Sequence, residues 1–247
     1  MTGKHRQSEV ILRQSDRLMI LSSQAPPTSM RLKRRVSVSR ECYSVSQDYG
    51  GQVYVGGIDG VDRVTCDSQS SRVISLDGVV CGVSVNDGVI YTLVNKSDSS
   101  WSVRVYGSKY QLILSWRHNE DSKDDMNQLA VSKVSVLVPH RNSKTIIQYS
   151  LTGEVERRIP CLILMGKNTW MCGMSSHRDI VVVSCDSKVS CIDVSTGHCV
   201  WSTDSLEKPS AVCSDDADRV YAAFGGWSGT TQISVLDRDT GKSVLTS

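Results

Sequence analysis

The chain has 247 residues, 39% of them hydrophobic and 22% charged, with a formal net charge of +2 at pH 7. That balance excludes a disordered chain, and the near-neutral charge gives no general drive toward nucleic acid or anionic lipid. No apolar run approaches the ~18 residues of a membrane-spanning helix, and Met1 to Leu21 lacks the continuous apolar stretch of a signal peptide.

In chain order, Glu9 to Arg13, Leu18 to Ser22 and Met30 to Val36 read as three short strands, with Gln24 to Thr28 as a loop. The alternative for residues 1–40 is a disordered leader. Arg31, Lys33, Arg34 and Arg35 form a basic cluster there. It reads as the charged face of an edge strand, which discourages aggregation, or as a nucleic-acid or localisation patch.

Beyond residue 40 the strands repeat. Tyr54, Tyr91, Val136, Val182 and Ala222 each centre an apolar run, and these runs recur about every 42 residues. Before each comes a strand of smaller residues: Tyr43 to Gln47, Val80 to Val85, Asn127 to Val131, Trp170 to Ser175 and Ser210 to Ser214. Small side chains suit an innermost strand crowded around a central axis. After the last three come hairpin glycines Gly153, Gly197 and Gly241, spaced 44 and 44, each beside a Thr. Glycine supplies the positive φ such turns need. Runs apolar throughout, such as Ile180 to Val183, read as strands buried on both faces.

Four short strands repeated at this period predict an all-β fold, a β-propeller of about five four-stranded blades. The blades fall near 41–78, 79–118, 126–160, 168–205 and 208–247. Residues 1–40 would add a partial blade, making a six-bladed, incomplete or open ring. The chain is then expected to be part of a longer multidomain protein. Of the nine cysteines, Cys81, Cys172, Cys185, Cys191, Cys199 and Cys213 lie in apolar strand patterns, without a CxxC pair. They are expected to be buried free thiols, which places the chain in a reducing, cytoplasmic compartment.

The stretches Asp193-Val194-Ser195-Thr196-Gly197-His198-Cys199-Val200-Trp201 and Leu236-Asp237-Arg238-Asp239-Thr240-Gly241 resemble the hairpins of quinoprotein-like and YVTN-type propeller repeats. Val53-Tyr54-Val55-Gly56-Gly57 resembles the strand that opens a YVTN unit. The looser NHL-type propellers of tripartite-motif proteins are also similar. The resemblance covers residues 41–247 by repeat and implies architecture. The Gly-His and Trp-Asp dipeptides of WD40 repeats are missing from their expected places. So are the paired cysteines, acidic calcium ligands and docking tryptophan of quinone-dependent dehydrogenases.

No catalytic motif survives. His177-Arg178-Asp179 looks like a kinase loop but precedes a strand, with no Asn four residues beyond the Asp. Asp239-Thr240-Gly241 matches an aspartic-protease triplet, yet it is the third copy of a repeated turn. The five histidines show no metal-ligand spacing, and the acidic run in 117–126 lacks the order of an EF-hand loop. No enzyme activity and no cofactor or metal is expected.

Loops between second and third strands, and those joining blades, emerge on one rim. That rim gathers Trp116, Arg117, His118, His140, Arg141, Lys188 and Trp227, the last within Gly225 to Gly229. Exposed aromatic and cationic loop residues are typical interface anchors. The expected function is a protein-interaction scaffold that docks a protein or peptide there. The alternatives are RNA binding of NHL type, with Arg117, Arg141, Lys144 and Lys188 on phosphates and Trp227 or His140 stacking a base, and a propeller hydrolase or lactonase. The last would need several ligands at inner-strand starts, where Asn127 alone fits.

Overall fold

The computed structural model describes residues 8–14, 17–23, 30–37, 41–48, 50–65, 67, 69–96, 100–118, 128–140, 143–161, 171–177, 179–185, 188–204, 209–215, 218–225 and 231–246. Regular structure among these residues is entirely β. Three four-stranded antiparallel sheets carry the clearest repeat. One comprises β10 (Ala130–Val131), β11 (Ser135–His140), β12 (Thr145–Ser150) and β13 (Val155–Pro160). The next comprises β14 (Met171–His177), β15 (Ile180–Cys185), β16 (Lys188–Asp193) and β17 (Cys199–Asp204). The last comprises β18 (Pro209–Ser214), β19 (Arg219–Gly225), β20 (Thr231–Asp237) and β21 (Ser243–Thr246).

The turn chemistry explains the outer hairpins. Gly153, Gly197 and Gly241 sit at φ of 92°, 77° and 65°. Asp193 accepts the Thr196 amide on Oδ1 at 2.7 Å, and Asp237 accepts the Thr240 amide at 2.9 Å. Each Asp thus ties the turn that its own glycine completes. Hydrogen bonds from Ser195 and Thr196 hold the Asp193 carboxyl below its ordinary range, and those from Thr240 do the same for Asp237.

Alternate residues of the second strands pack against different neighbours, as two-sided burial requires. In β15, Val181 and Val183 face the preceding sheet with Leu137, Ile146 and Ile159, while Ile180 and Val182 face Val220, Ala222 and Phe224 of the following one. In β11, Val136 and Val138 meet Leu93, Val103 and Val105, and Leu137 turns the other way. The core is therefore a series of layers between sheets, each fully buried Val, Leu or Ile contributing about 1.5–3 kcal/mol.

Residues 42–118 depart from expectation. Two separate four-stranded blades are predicted there, but β4 (Cys42–Gln47), β5 (Val53–Val64), β6 (Ser70–Asn86), β7 (Val89–Asn95), β8 (Trp101–Tyr106) and β9 (Leu112–His118) form one six-stranded sheet. The two long strands bend without breaking, at Asp59 (φ 61°) and Gly60 (φ 147°) in β5 and at Gly78 (φ 125°) in β6. A side chain at Gly60 would run into the Ile74 carbonyl. Residues 42–47 pair with 53–57, 60–64 with 70–75, and 79–86 with 89–95.

A three-stranded sheet of β1 (Ser8–Gln14), β2 (Arg17–Ser23) and β3 (Met30–Ser37) completes the fold, at the three places where strands are read from the sequence. β4 lies beside β6, β6 beside β10, β10 beside β14 and β14 beside β18, while β1 lies beside both β18 and β4. The innermost strands thus encircle one axis, and the chain is an all-β propeller. Among the described residues the sheets number three with four strands, one with six and one with three, rather than five separate four-stranded sheets.

Among the described cysteines, Cys81, Cys185 and Cys191 are buried, as expected, and Cys42 and Cys161 are buried too. Cys213 is half-buried and Cys199 exposed. Cys199 opens an outer strand, where one face meets solvent. No helix among the described residues is long and apolar enough to cross a membrane.

Candidate functional site

The rim expected from the sequence holds less exposed chemistry than predicted. Leu114, Trp116 and His118 alternate along β9 and so share a face, and that face turns inward against β12. His118 is 1% exposed, and its Nδ1 lies 2.6 Å from the Tyr149 hydroxyl. Its Nε2 has no hydrogen-bond partner. The His140 ring centroid is 6.0 Å from that of His118. His140 Nδ1 accepts the Ser143 amide at 3.0 Å and lies 2.5 Å from Ser143 Oγ, which in turn lies 2.6 Å from Thr145 Oγ1. Burial, then the neighbouring His140 and Arg158, lowers the His118 pKa to about 4. The two imidazoles are thus packed rather than presented, which corrects the assignment of His140 to an exposed binding rim: its 4% exposure leaves no face for a partner.

Trp116 is also placed otherwise than expected. Its indole lies over Gly153 of the next sheet's hairpin, so close that an added Cβ would come within 2.6 Å of the ring. Trp201 repeats this one sheet further on, over Gly241, and donates its indole N–H to the Arg238 carbonyl. Between them, Arg157 donates to the carbonyls of Val194 (3.0 Å) and Ser195. The outer strands β9, β13 and β17 therefore each cap the hairpin of the sheet that follows. Trp201 and Arg157 each stand four residues after a hairpin glycine, a periodic signal that identifies the capping position and so could have marked these residues as structural.

Of the remaining rim residues, Arg117 is exposed. Lys188 is exposed and pairs with Asp204 at 3.0 Å, an arrangement worth at most ~1 kcal/mol in water. Trp227 and Arg141 lie outside the described residues, as does Asn127. Among the described residues no group of three or more His, Cys, Asp or Glu side chains could hold a metal.

A concave feature lies on the opposite edge, where first-to-second and third-to-fourth strand turns emerge. A groove of about 310 Å³ opens between the sheets β10–β13 and β14–β17. Ser132, Val134 and Ser135 from the β10–β11 turn form one wall, with Gln148 and Glu156 beside them. Asp179, Val194 and Ser195 form the other. Val134 is 70% exposed at the mouth, and Leu137 lies buried at the base. Sequence reasoning missed this groove, because its walls come from turns of two successive repeats and none carries an unusual composition.

A second polar cluster lies between β18 and β19. Asp215 accepts from Arg219 Nε at 2.8 Å and Nη2 at 2.6 Å, and from the Tyr221 hydroxyl at 2.9 Å. Both charges are nearly buried, and the pair closes the turn that joins the two strands.

No family model matches the chain, and no curated protein matches it. Solved structures do. A chain of a nidogen–laminin complex superposes with a TM-score of 0.74 at 12% identity, covering 96% of this chain and 92% of that one. A protein from Bacteroides caccae, described as of unknown function, superposes with a TM-score of 0.71 at 12% identity, covering 98% and 93%. BamB from Moraxella catarrhalis superposes at 0.52 with 12% identity, covering 99% and 79%. At this identity the likeness concerns the fold, and it agrees with the propeller read from the repeats.

Proposed function

We propose that this propeller is a protein-interaction module that docks a segment of a protein partner in the groove between sheets β10–β13 and β14–β17. The groove carries the reading. It is concave, it mixes an exposed Val134 with hydroxyls and carboxylates, and it is walled by hairpins pinned to one another through Arg157. A pre-formed site on rigid hairpins loses little ordering free energy on binding. One structural neighbour was itself crystallised in a protein complex, the nidogen–laminin pair. Binding rather than catalysis fits the buried imidazoles, which are engaged in packing, and the buried thiols fit a reducing, cytoplasmic compartment.

For the ring, we propose six blades. The six-stranded sheet counts as two, divided at the bends of Gly60 and Gly78, and β1–β3 form a sixth blade of three strands. The change of pairing partner on either side of each bend supports this count.

The test is affinity capture by the purified chain from lysate with and without ribonuclease treatment, then titration of the captured protein, purified, against wild type and Val134→Glu by calorimetry. A partner that binds wild type and loses about tenfold or more in affinity for the variant supports the reading. Capture that ribonuclease abolishes favours the RNA alternative instead, and a partner indifferent to Val134→Glu moves the site elsewhere.

A further inference from the structure

We infer that the groove selects a basic side chain, Lys or Arg, carried on an extended segment of the partner. This rests on the interaction reading above. Two acidic residues line the groove from different sheets, Glu156 on β13 and Asp179 before β15, and both are exposed. Their positions are held by the surrounding structure. Gln148 Nε2 donates to Glu156 Oε2 at 3.1 Å, and the Asp179 carbonyl accepts the Val194 amide at 2.7 Å. An ionised carboxylate has about four acceptor positions, so one donor from Gln148 leaves Glu156 with room for more.

Arg157 is the cation that lines the same groove, and it is committed to the wall. Its Nη1 donates to two carbonyls of the neighbouring hairpin. Its charge stays in the groove, but the lining sets two carboxylates, Glu156 and Asp179, against this one guanidinium, an excess of negative charge that a cation complements. Val134, Leu137 and Val194 line it with apolar surface, which suits the methylene stem of Lys or Arg, whose chains bury the stem and leave the head polar. At about 310 Å³ the groove is at the small end of ligand sites. It fits one or two side chains of an extended strand rather than a folded surface. An acidic segment would meet like charge on both walls.

The experiment is a proton–nitrogen correlation NMR titration of the full chain with four synthetic peptides, acetyl-Ser-Val-X-Val-Ser-amide, where X is Arg, Lys, citrulline or Glu. Citrulline keeps the shape of Arg and removes its charge. The Arg and Lys peptides should shift the amides of Ser132, Val134, Ser135, Asp179, Val194 and Ser195, and the citrulline and Glu peptides should not. Glu156→Gln and Asp179→Asn should each weaken the Arg peptide about two- to fivefold, and together about tenfold. Equal shifts from the Arg and citrulline peptides, no shifts from any peptide, or unchanged affinity in the double variant overturns the inference. The two readings fail separately. A captured partner that binds wild type and the double variant alike, yet loses affinity for Val134→Glu, leaves the interaction module standing and removes its charge preference. Absence of any captured partner removes the module, while the peptide titration still reports on the groove.

Discussion

Replacing hairpin glycines by alanine separates two costs that the structure places together. Gly88 has φ 74° and open space where a Cβ would go. Gly88→Ala should therefore cost only the left-handed conformation, about 1–2 kcal/mol. Gly241 has a similar φ of 65°, but its Cβ would come within 2.6 Å of the Trp201 ring. Gly241→Ala should add an overpacking cost of about 1–3 kcal/mol, for a total of about 2–5. Trp201→Ala removes a buried indole and its hydrogen bond, about 3–5 kcal/mol. In the Trp201→Ala background the overpacking disappears, so Gly241→Ala should fall back to the cost seen at Gly88. The double variant is then less destabilised than the sum of the singles by about 1–3 kcal/mol. Urea unfolding followed by far-UV circular dichroism, which does not depend on Trp201 emission, reads wild type and all four variants. Equal losses for Gly88→Ala and Gly241→Ala, or simple additivity with Trp201→Ala, would refute the capping argument.

His118 should make the fold acid-sensitive. Its folded pKa is lowered to about 4, by burial first and then by His140 and Arg158, against an ordinary 6.5. The unfolded chain thus takes up a proton before the native one, and stability falls as pH drops from about 6.5 to about 4, by an order of 3 kcal/mol in all. Urea midpoints measured between pH 7.5 and 4 should fall less steeply in His118→Gln than in wild type; parallel profiles would sink this claim. Asp215→Ala should cost about 3 kcal/mol, since it strips the carboxylate from a nearly buried Arg219. Asp215→Asn, which retains an acceptor, should recover part of that loss in thermal denaturation, and equal melting temperatures for the two variants would argue against the ion pair.

The propeller was legible because its determinants are local and periodic. Gly197 and Gly241 with their Asp and Thr neighbours specify a turn without help from the rest of the fold, and the unbroken β-branched run at Ile180 to Val183, set within the repeat, reads as a strand covered on both faces. Continuity of the sheet through residues 42–118 was not legible. Gly60 and Gly78 look like chain breaks, and whether a positive-φ residue ends a strand or bends it depends on which backbone lies opposite, here the Ile74 carbonyl. The burial of His118 and His140 was hidden for a related reason. His118 and His140 stand at strand ends, where a polar residue reads as solvated. Only the register between β9 and its neighbours brings His118 to Tyr149 and beside His140, where both are enclosed. The groove depends on the spacing between two sheets, a quantity that no single repeat encodes.

The caps described for Trp116, Arg157 and Trp201 all reach forward, from the outer strand of one sheet to the hairpin of the next. Around a ring, that common sense of direction makes the assembly vectorial. Losing an outer strand exposes the hairpin downstream of it and leaves the one upstream covered. Damage at β9 would therefore loosen β12–β13 first, then β16–β17, then β20–β21, so that hydrogen exchange or proteolysis started at one blade would advance in chain order rather than spread both ways.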